Sequence, residues 1–261
     1  MNILFLADVF GPQGRHAVEQ RLPGLKEELA IDFCVVNGEN AADGAGLTPK
    51  IADKLLGAGA DVVTLGNHVW RRMEIGPYLA QSNRVIRPAN LSRNAPGTGL
   101  TVQPAADGTP VAVLNLLGWL FLTPAQGPFE IVDDLVEEAR RRSPIVLVDF
   151  HAEATSEKVA MARWLDGRVT AVVGTHTHVQ TSDARVLPRG TAFMTDAGMT
   201  GPHESVIGVE ADLAIQRMRT GMAVRFRPAE GGVRIEGVLV ECEADGRATS
   251  CEAVRVPVES A

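Results

Sequence analysis

Short apolar runs recur along this chain, and several of them stop at a residue able to bind a metal. Leu6-Ala7 leads to Asp8, Val35-Val36 to Asn37-Gly38-Glu39-Asn40, and Val63-Thr64-Leu65 to Gly66-Asn67-His68. Further on, Ile145-Val146-Leu147-Val148 leads to Asp149-Phe150-His151, and Ala171-Val172-Val173 to Gly174-Thr175-His176-Thr177-His178. Runs this short and this uniformly apolar predict strands covered on both faces. Between them the spacing becomes helical. Ala17, Val18, Leu22 and Leu25 line one face of a helix reached through a loop holding Pro12 and Gly14. Thr48 reads as an N-cap with Pro49 at the first helical position, followed by Ile51, Leu55 and Leu56. From Met1 to about residue 80 the order is therefore β-α-β-α-β, with strands at Ile3–Ala7, Phe33–Val36 and Asp61–Leu65.

Beyond Leu100 the pattern changes. Thr101–Gln103 and Val111–Asn115 predict an antiparallel pair turning at Asp107-Gly108. Ile131, Leu135, Val136 and Ala139 predict a helix that starts at Pro128 and stops before Pro144. Strands at Ile145–His151 and Val169–Gly174 follow, with Gly174 marking the turn out of the second. Leu213, Ile215, Gln216 and Met218 suggest another helix. Met222–Phe226, Val233–Leu239 and Val254–Val258 then read as strands, with turns at Gly231-Gly232 and Asp245-Gly246. No repeat or linker interrupts the chain, so one α/β domain over residues 1–261 is expected, two facing mixed sheets with helices outside. Ligands in open α/β sheets gather at the carboxyl ends of strands, which is where the polar exits lie.

A net charge of −7 argues against an extended grip on nucleic acid, which needs clustered Lys and Arg. It leaves room for a small anionic substrate, because bound divalent ions dominate a local field whatever the sign of the whole surface. No 18-residue apolar run occurs, and the N-terminus lacks the basic region of a signal peptide, so no membrane association is expected. Cys34, Cys242 and Cys251 form neither a disulfide framework nor a zinc knuckle; they suit a reducing cytoplasm, with Cys34 a small core residue.

The candidate ligands are Asp8, Glu39, Asn40, Asn67, His151, His176 and His178. His176 and His178, two apart, face one side if the backbone is extended. This mixed oxygen and nitrogen set suits Mn²⁺, Fe or Zn²⁺ better than Ca²⁺ or Mg²⁺. Two such ions about 3.5–4 Å apart can activate a water and clamp a phosphoryl group. Other residues read more blandly: Asn37 as a turn former beside Gly38, His16 as surface, Trp70 as packing, and Arg71 and Arg72 as a solvated helix start. His203 divides between lining the pocket and sitting on an exposed loop.

The motif set Asp8, Gly38-Glu39-Asn40, Gly66-Asn67-His68, His151 and Thr175-His176-Thr177-His178 resembles the calcineurin-like metallophosphoesterases. More narrowly, and through Asp196-Ala197-Gly198-Met199-Thr200-Gly201-Pro202, it is similar to their YmdB-type phosphodiesterase branch, which acts on 2′,3′-cyclic nucleotides. The resemblance implies a four-layer α-β-β-α sandwich of two mixed sheets and two divalent ions, often iron or manganese. By position, Asp8, Glu39, Asn40 and His178 would hold one ion, and Glu39, Asn67, His151 and His176 the other, with Glu39 shared. A metal-bridging hydroxide would attack a small cyclic phosphodiester, and His68 would be the general acid. The chain departs from the wider superfamily in two places. Asp8-Val9-Phe10 lacks the histidine of the usual Asp-x-His motif, a vacancy that Asn40 would fill, and Glu39 stands where an Asp usually bridges. A phosphomonoesterase or protein phosphatase could use the same centre. A non-catalytic, metal-dependent binder of RNA or protein would have no use for His68. Homo-oligomerisation stays open.

Overall fold

The structure, a computed structural model, describes residues 1–258. In chain order it runs β1 (Asn2–Leu6), α1 (Gly11–Glu28), β2 (Phe33–Asn37), α2 (Pro49–Gly57), β3 (Val62–Thr64), α3 (Ile75–Leu79) and β4 (Val85–Ile86). Then come β5 (Leu100–Pro104), β6 (Pro110–Leu117), α4 (Pro128–Arg142), β7 (Ile145–His151), α5 (Thr155–Leu165) and β8 (Ala171–Thr175). The last third holds β9 (Arg185–Val186), β10 (Ala192–Met194), β11 (Gly201–Pro202), α6 (Ala211–Thr220), β12 (Val233–Cys242) and β13 (Ala248–Pro257). Thr48 caps α2, its Oγ1 accepting from Ile51 N at 3.3 Å. Pro128 opens α4, and extended Ser143 closes it ahead of Pro144.

Two mixed sheets result. In the first, β1 to β4 run parallel, β12 joins β1 antiparallel, and β11 and β13 pair with β12. In the second, β6, β7, β8 and β10 run parallel, with β5 and β9 antiparallel at the edges. The pleat sorts the apolar runs into layers. Ile3, Phe5, Val35, Val113, Leu147 and Val173 meet between the sheets. The alternate residues Leu4, Leu6 and Val36 pack outward with Val18 and Leu22 of α1. On the far side, Leu114, Val146 and Val148 pack with Val132 and Val136 of α4 and Met161 of α5. Strands buried on both faces have no polar alternation to show, which is why they read as continuous runs.

Several expectations need correcting. Pro12 and Gly14 already lie in the first turn of α1, where proline's missing N–H is no loss. Gly174 lies inside β8 rather than in a turn, and it is a glycine there because a Cβ would collide with the Thr195 carbonyl. Met222–Phe226 forms no strand. It follows the left-handed Gly221 without regular secondary structure, its Met222 and Phe226 exposed. Helices α3 and α5 and the short strands β4, β9, β10 and β11 add to the predicted set. No helix among the described residues is long and apolar enough to cross a membrane.

Helix α5 brings a lysine into the core. Lys158 Nζ lies 2.7 Å from Asp196 Oδ2, with both side chains about 1% exposed. The same oxygen accepts from Thr177 N at 3.0 Å and Thr177 Oγ1 at 2.8 Å, so the pair fixes the loop after β8. Removing one member of a buried pair strands the other charge. Lys158→Met should lower unfolding free energy in urea by about 3–5 kcal/mol. A loss below about 1 kcal/mol would show that the pair carries no such burden.

Candidate metal centre

The sequence-predicted residues converge where the strand ends of the two sheets face each other. Asp8 follows β1, Glu39 and Asn40 follow β2, Asn67 and His68 follow β3, His151 ends β7, and His176 and His178 follow β8. Asp8, Glu39, Asn40 and His151 are buried, His178 nearly so, and Asn67, His68 and His176 partly open to solvent.

His151 stands at the middle. Its Nδ1 is 2.8 Å from Thr175 Oγ1, and that hydroxyl donates its one proton to Asp149 Oδ1 at 2.7 Å. Thr175 must therefore accept from His151 Nδ1–H, which turns the lone pair of Nε2 into the site. Around Nε2 stand Asn67 Oδ1 at 3.0 Å, His176 Nδ1 at 3.1 Å and Glu39 Oε1 at 3.2 Å. His176 Nε2 lies 3.0 Å from Glu153 Oε2, so its proton belongs there and its Nδ1 also presents a lone pair. While both imidazoles are neutral, four acceptors thus crowd one point with no hydrogen to share. Glu39 Oε1 and Asp8 Oδ1 are buried without a hydrogen bond, and ligand atoms of Glu39, His151 and His176 lie within 4.8 Å of one another. Gly66 leaves the space open, since a Cβ there would meet Glu39 Oε2 and His151 Nε2. Unpartnered carboxylate oxygens and converging imidazole lone pairs fit a cation.

Protonation follows the same logic. Burial works against charge on His151, yet Glu39, Asp8 and Asp149 outweigh it and push its pKa up to about 9. Burial would raise Glu39, but His151 and His68 hold it well below the usual carboxylate range. Burial raises Asp8 well above that range, and burial lowers His176 to about 3 and His178 below its ordinary value. A proton on His151 and a cation compete for the same lone pairs.

On the other side, His178 Nδ1 donates to the Ile207 carbonyl at 2.9 Å, leaving Nε2 3.0 Å from Asn40 Nδ2. Asn40 Oδ1 is 2.9 Å from His68 Nδ1, which also lies 3.2 Å from Glu39 Oε1. The Asn40 amide therefore spans His178 and His68, and rotation about its last torsion can present either end to His178. Phe10 is buried with its ring edge-on to His178, centroids 5.6 Å apart.

The convergence of His176 and His178 does not come from extended backbone. Both sit at positive φ, 102° and 64°, and Asp8 is at 21°. Residues other than glycine adopt this region at a cost of about 1–3 kcal/mol each, which the surroundings must hold. Here Asp8 Oδ2 accepts from His176 N at 2.8 Å, and Asp196 clamps Thr177. Asn37 does shape the turn beside Gly38, its Oδ1 accepting from Glu39 N at 3.1 Å, and it also ends β2, buried, with its Nδ2 donating to Asp149 Oδ2 at 2.9 Å. His16 is exposed and Trp70 packs against the outer core. His203 faces the Met199 carbonyl at 3.1 Å, away from the centre, and Arg72 bonds the Ala42 carbonyl. Sequence reasoning missed Thr175, Asp149, Glu153 and Ile207. The first two sit beside named ligands, but only the paired strands β7 and β8 bring them together.

Two facing mixed sheets with this cluster at their strand ends define a metallophosphoesterase sandwich. The YmdB-like protein family matches residues 4–254, and the chain belongs to that family. A Bacillus subtilis (strain 168) relative, 2′,3′-cyclic-nucleotide 2′-phosphodiesterase, is 47% identical over 93% of this chain and 92% of its own. A hypothetical protein from Thermus thermophilus superposes with TM-score 0.92 at 40% identity, over 98% of this chain and 99% of that one. A Mycoplasma pneumoniae structure described as a novel phosphatase gives 0.90 at 34% identity, over 98% and 93%.

The Asp149–Thr175–His151 relay can be tested without replacing any candidate ligand. Thr175→Val keeps the volume and removes the hydroxyl, so Mn²⁺ affinity measured by calorimetry should fall about 10–100-fold. Unchanged affinity would mean that the relay does not orient His151.

Proposed function

We propose that this chain is a phosphoric diester hydrolase that opens small 2′,3′-cyclic nucleotides and carries two divalent ions. The observation that carries the reading is the crowd of lone pairs around His151 Nε2. The activity printed for the Bacillus subtilis relative, 47% identical, supports the substrate class. Asp8, Glu39, Asn40 and His178 would hold one ion, and Glu39, Asn67, His151 and His176 the other. An amide oxygen beside each carboxylate makes Fe²⁺ or Mn²⁺ a better fit than Zn²⁺. When bound, the ions supply Lewis acidity toward the phosphoryl oxygens and lower the pKa of water.

The chain's own residues do the rest. His68 N donates to Glu39 Oε2 at 3.0 Å, and its ring is tied through Nδ1 to Asn40, which sets its orientation. Its Nε2 makes no hydrogen bond among the described residues, and the side chain is 27% exposed. As water adds to phosphorus and releases one proton to solvent, the P–O2′ bond breaks and His68 gives its proton to the departing ribose oxygen. Three unpaired cysteines support a reducing, cytoplasmic setting. A phosphomonoesterase is the second reading, supported by the description of the Mycoplasma pneumoniae structure as a phosphatase.

His68→Ala separates chemistry from metal holding. Metal content by elemental analysis should be retained, while turnover of cyclic nucleotide falls about 10²–10⁴-fold. The fall should be smaller for an aryl diester, whose leaving group needs no proton. Equal falls on both substrates would contradict the acid role, and faster turnover of nucleoside monophosphates than of cyclic nucleotides would favour the second reading.

A further inference from the structure

A cleft of about 500 Å³ opens beside the metal centre. Its lining joins Asn40, His68 and His178 to apolar side chains that include Ile207, Val209 and Phe226, with Arg71 and Arg217 also reaching it. The apolar wall is costly to present. Ile207 is β-branched yet sits at φ 48°, and it is 53% exposed although its carbonyl anchors His178. Phe226 is 40% exposed, on the irregular segment that follows α6. Arg217 lies over its ring, 5.2 Å from the centroid, and the neighbouring Arg227 grips Glu210 through two 2.8 Å hydrogen bonds. A backbone strained to expose an apolar residue, opposite an aromatic ring held in place, is a surface shaped for a flat apolar ligand. Arg71 lies in the short 3₁₀ turn (Val69–Arg71) directly after His68, and its guanidinium makes no ion pair or hydrogen bond among the described residues, so its charge is available to an anion.

We infer that this cleft is the nucleoside subsite: a nucleobase lies against Phe226, Ile207 and Val209 while Arg71 contacts the phosphate beside His68. This rests on the cyclic-nucleotide reading above. Every base offers a π-face, and an apolar wall discriminates little between base edges, so the subsite takes purines and pyrimidines alike.

Calorimetric titration of the purified protein with adenosine 3′-phosphate, cytidine 3′-phosphate and 1-O-methylribose 3-phosphate tests this. The two nucleotides should bind with similar affinity, about tenfold tighter than the sugar phosphate that lacks a base. In Phe226→Ala the three affinities should converge, and Phe226→Tyr should restore the advantage of the base. Equal affinities in the unsubstituted protein, or an equal loss for all three ligands in Phe226→Ala, would overturn the subsite. Base-dependent affinity in a protein that opens no cyclic nucleotide would uphold the subsite and overturn the reaction proposed above.

Discussion

Acceptors crowded around a buried point cannot stay together without positive charge between them, and this chain builds such a point around His151 Nε2. The rest of the site exists to hold the crowd in place. Asp149 and Thr175 fix the tautomer of His151, Glu153 that of His176, and the Ile207 carbonyl that of His178. Lys158 and Asp196 hold the loop that carries the last two histidines. Glu39 is the member on which the others converge. Its carboxylate is buried, contacts His151 and His68 at 3.2 Å without a hydrogen bond to Oε1, and accepts from His68 N through Oε2. The raised pKa of His151 answers the same demand, with a proton serving as the positive charge.

Where the wider superfamily places a histidine after the first strand, this chain places Phe10, its buried ring edge-on to His178. Gly44 and Gly208 come so close to that ring that a Cβ on either would strike it. The aromatic ring thus supports the His178 imidazole from the side, and the amide of Asn40 occupies the space between His178 and His68.

Much of this was legible in sequence because the strands are buried on both faces and their carboxyl ends are where polar residues interrupt them. Asp8, Glu39, Asn67, His151 and the two later histidines stand out against uniformly apolar runs. What stayed hidden depends on partners far along the chain. Helix α5 carries Glu157 and Lys158 into the interior, which is tolerable only because Trp119 N donates to Glu157 and Asp196 pairs with Lys158. Met222–Phe226 reads as a strand but joins no ladder, and its Phe226 lines the cleft instead. The His-x-His spacing pointed to the right place for the wrong reason: two left-handed residues, rather than an extended backbone, aim the rings.

The central claim is that one carboxylate, Glu39, joins two ions. Loading the purified protein with two equivalents of Mn²⁺ and recording its electron paramagnetic resonance spectrum tests that directly. A shared carboxylate, with the ions about 3.5–4 Å apart, predicts the multiline signal of an exchange-coupled pair. Two uncoupled mononuclear signals at full intensity would contradict it.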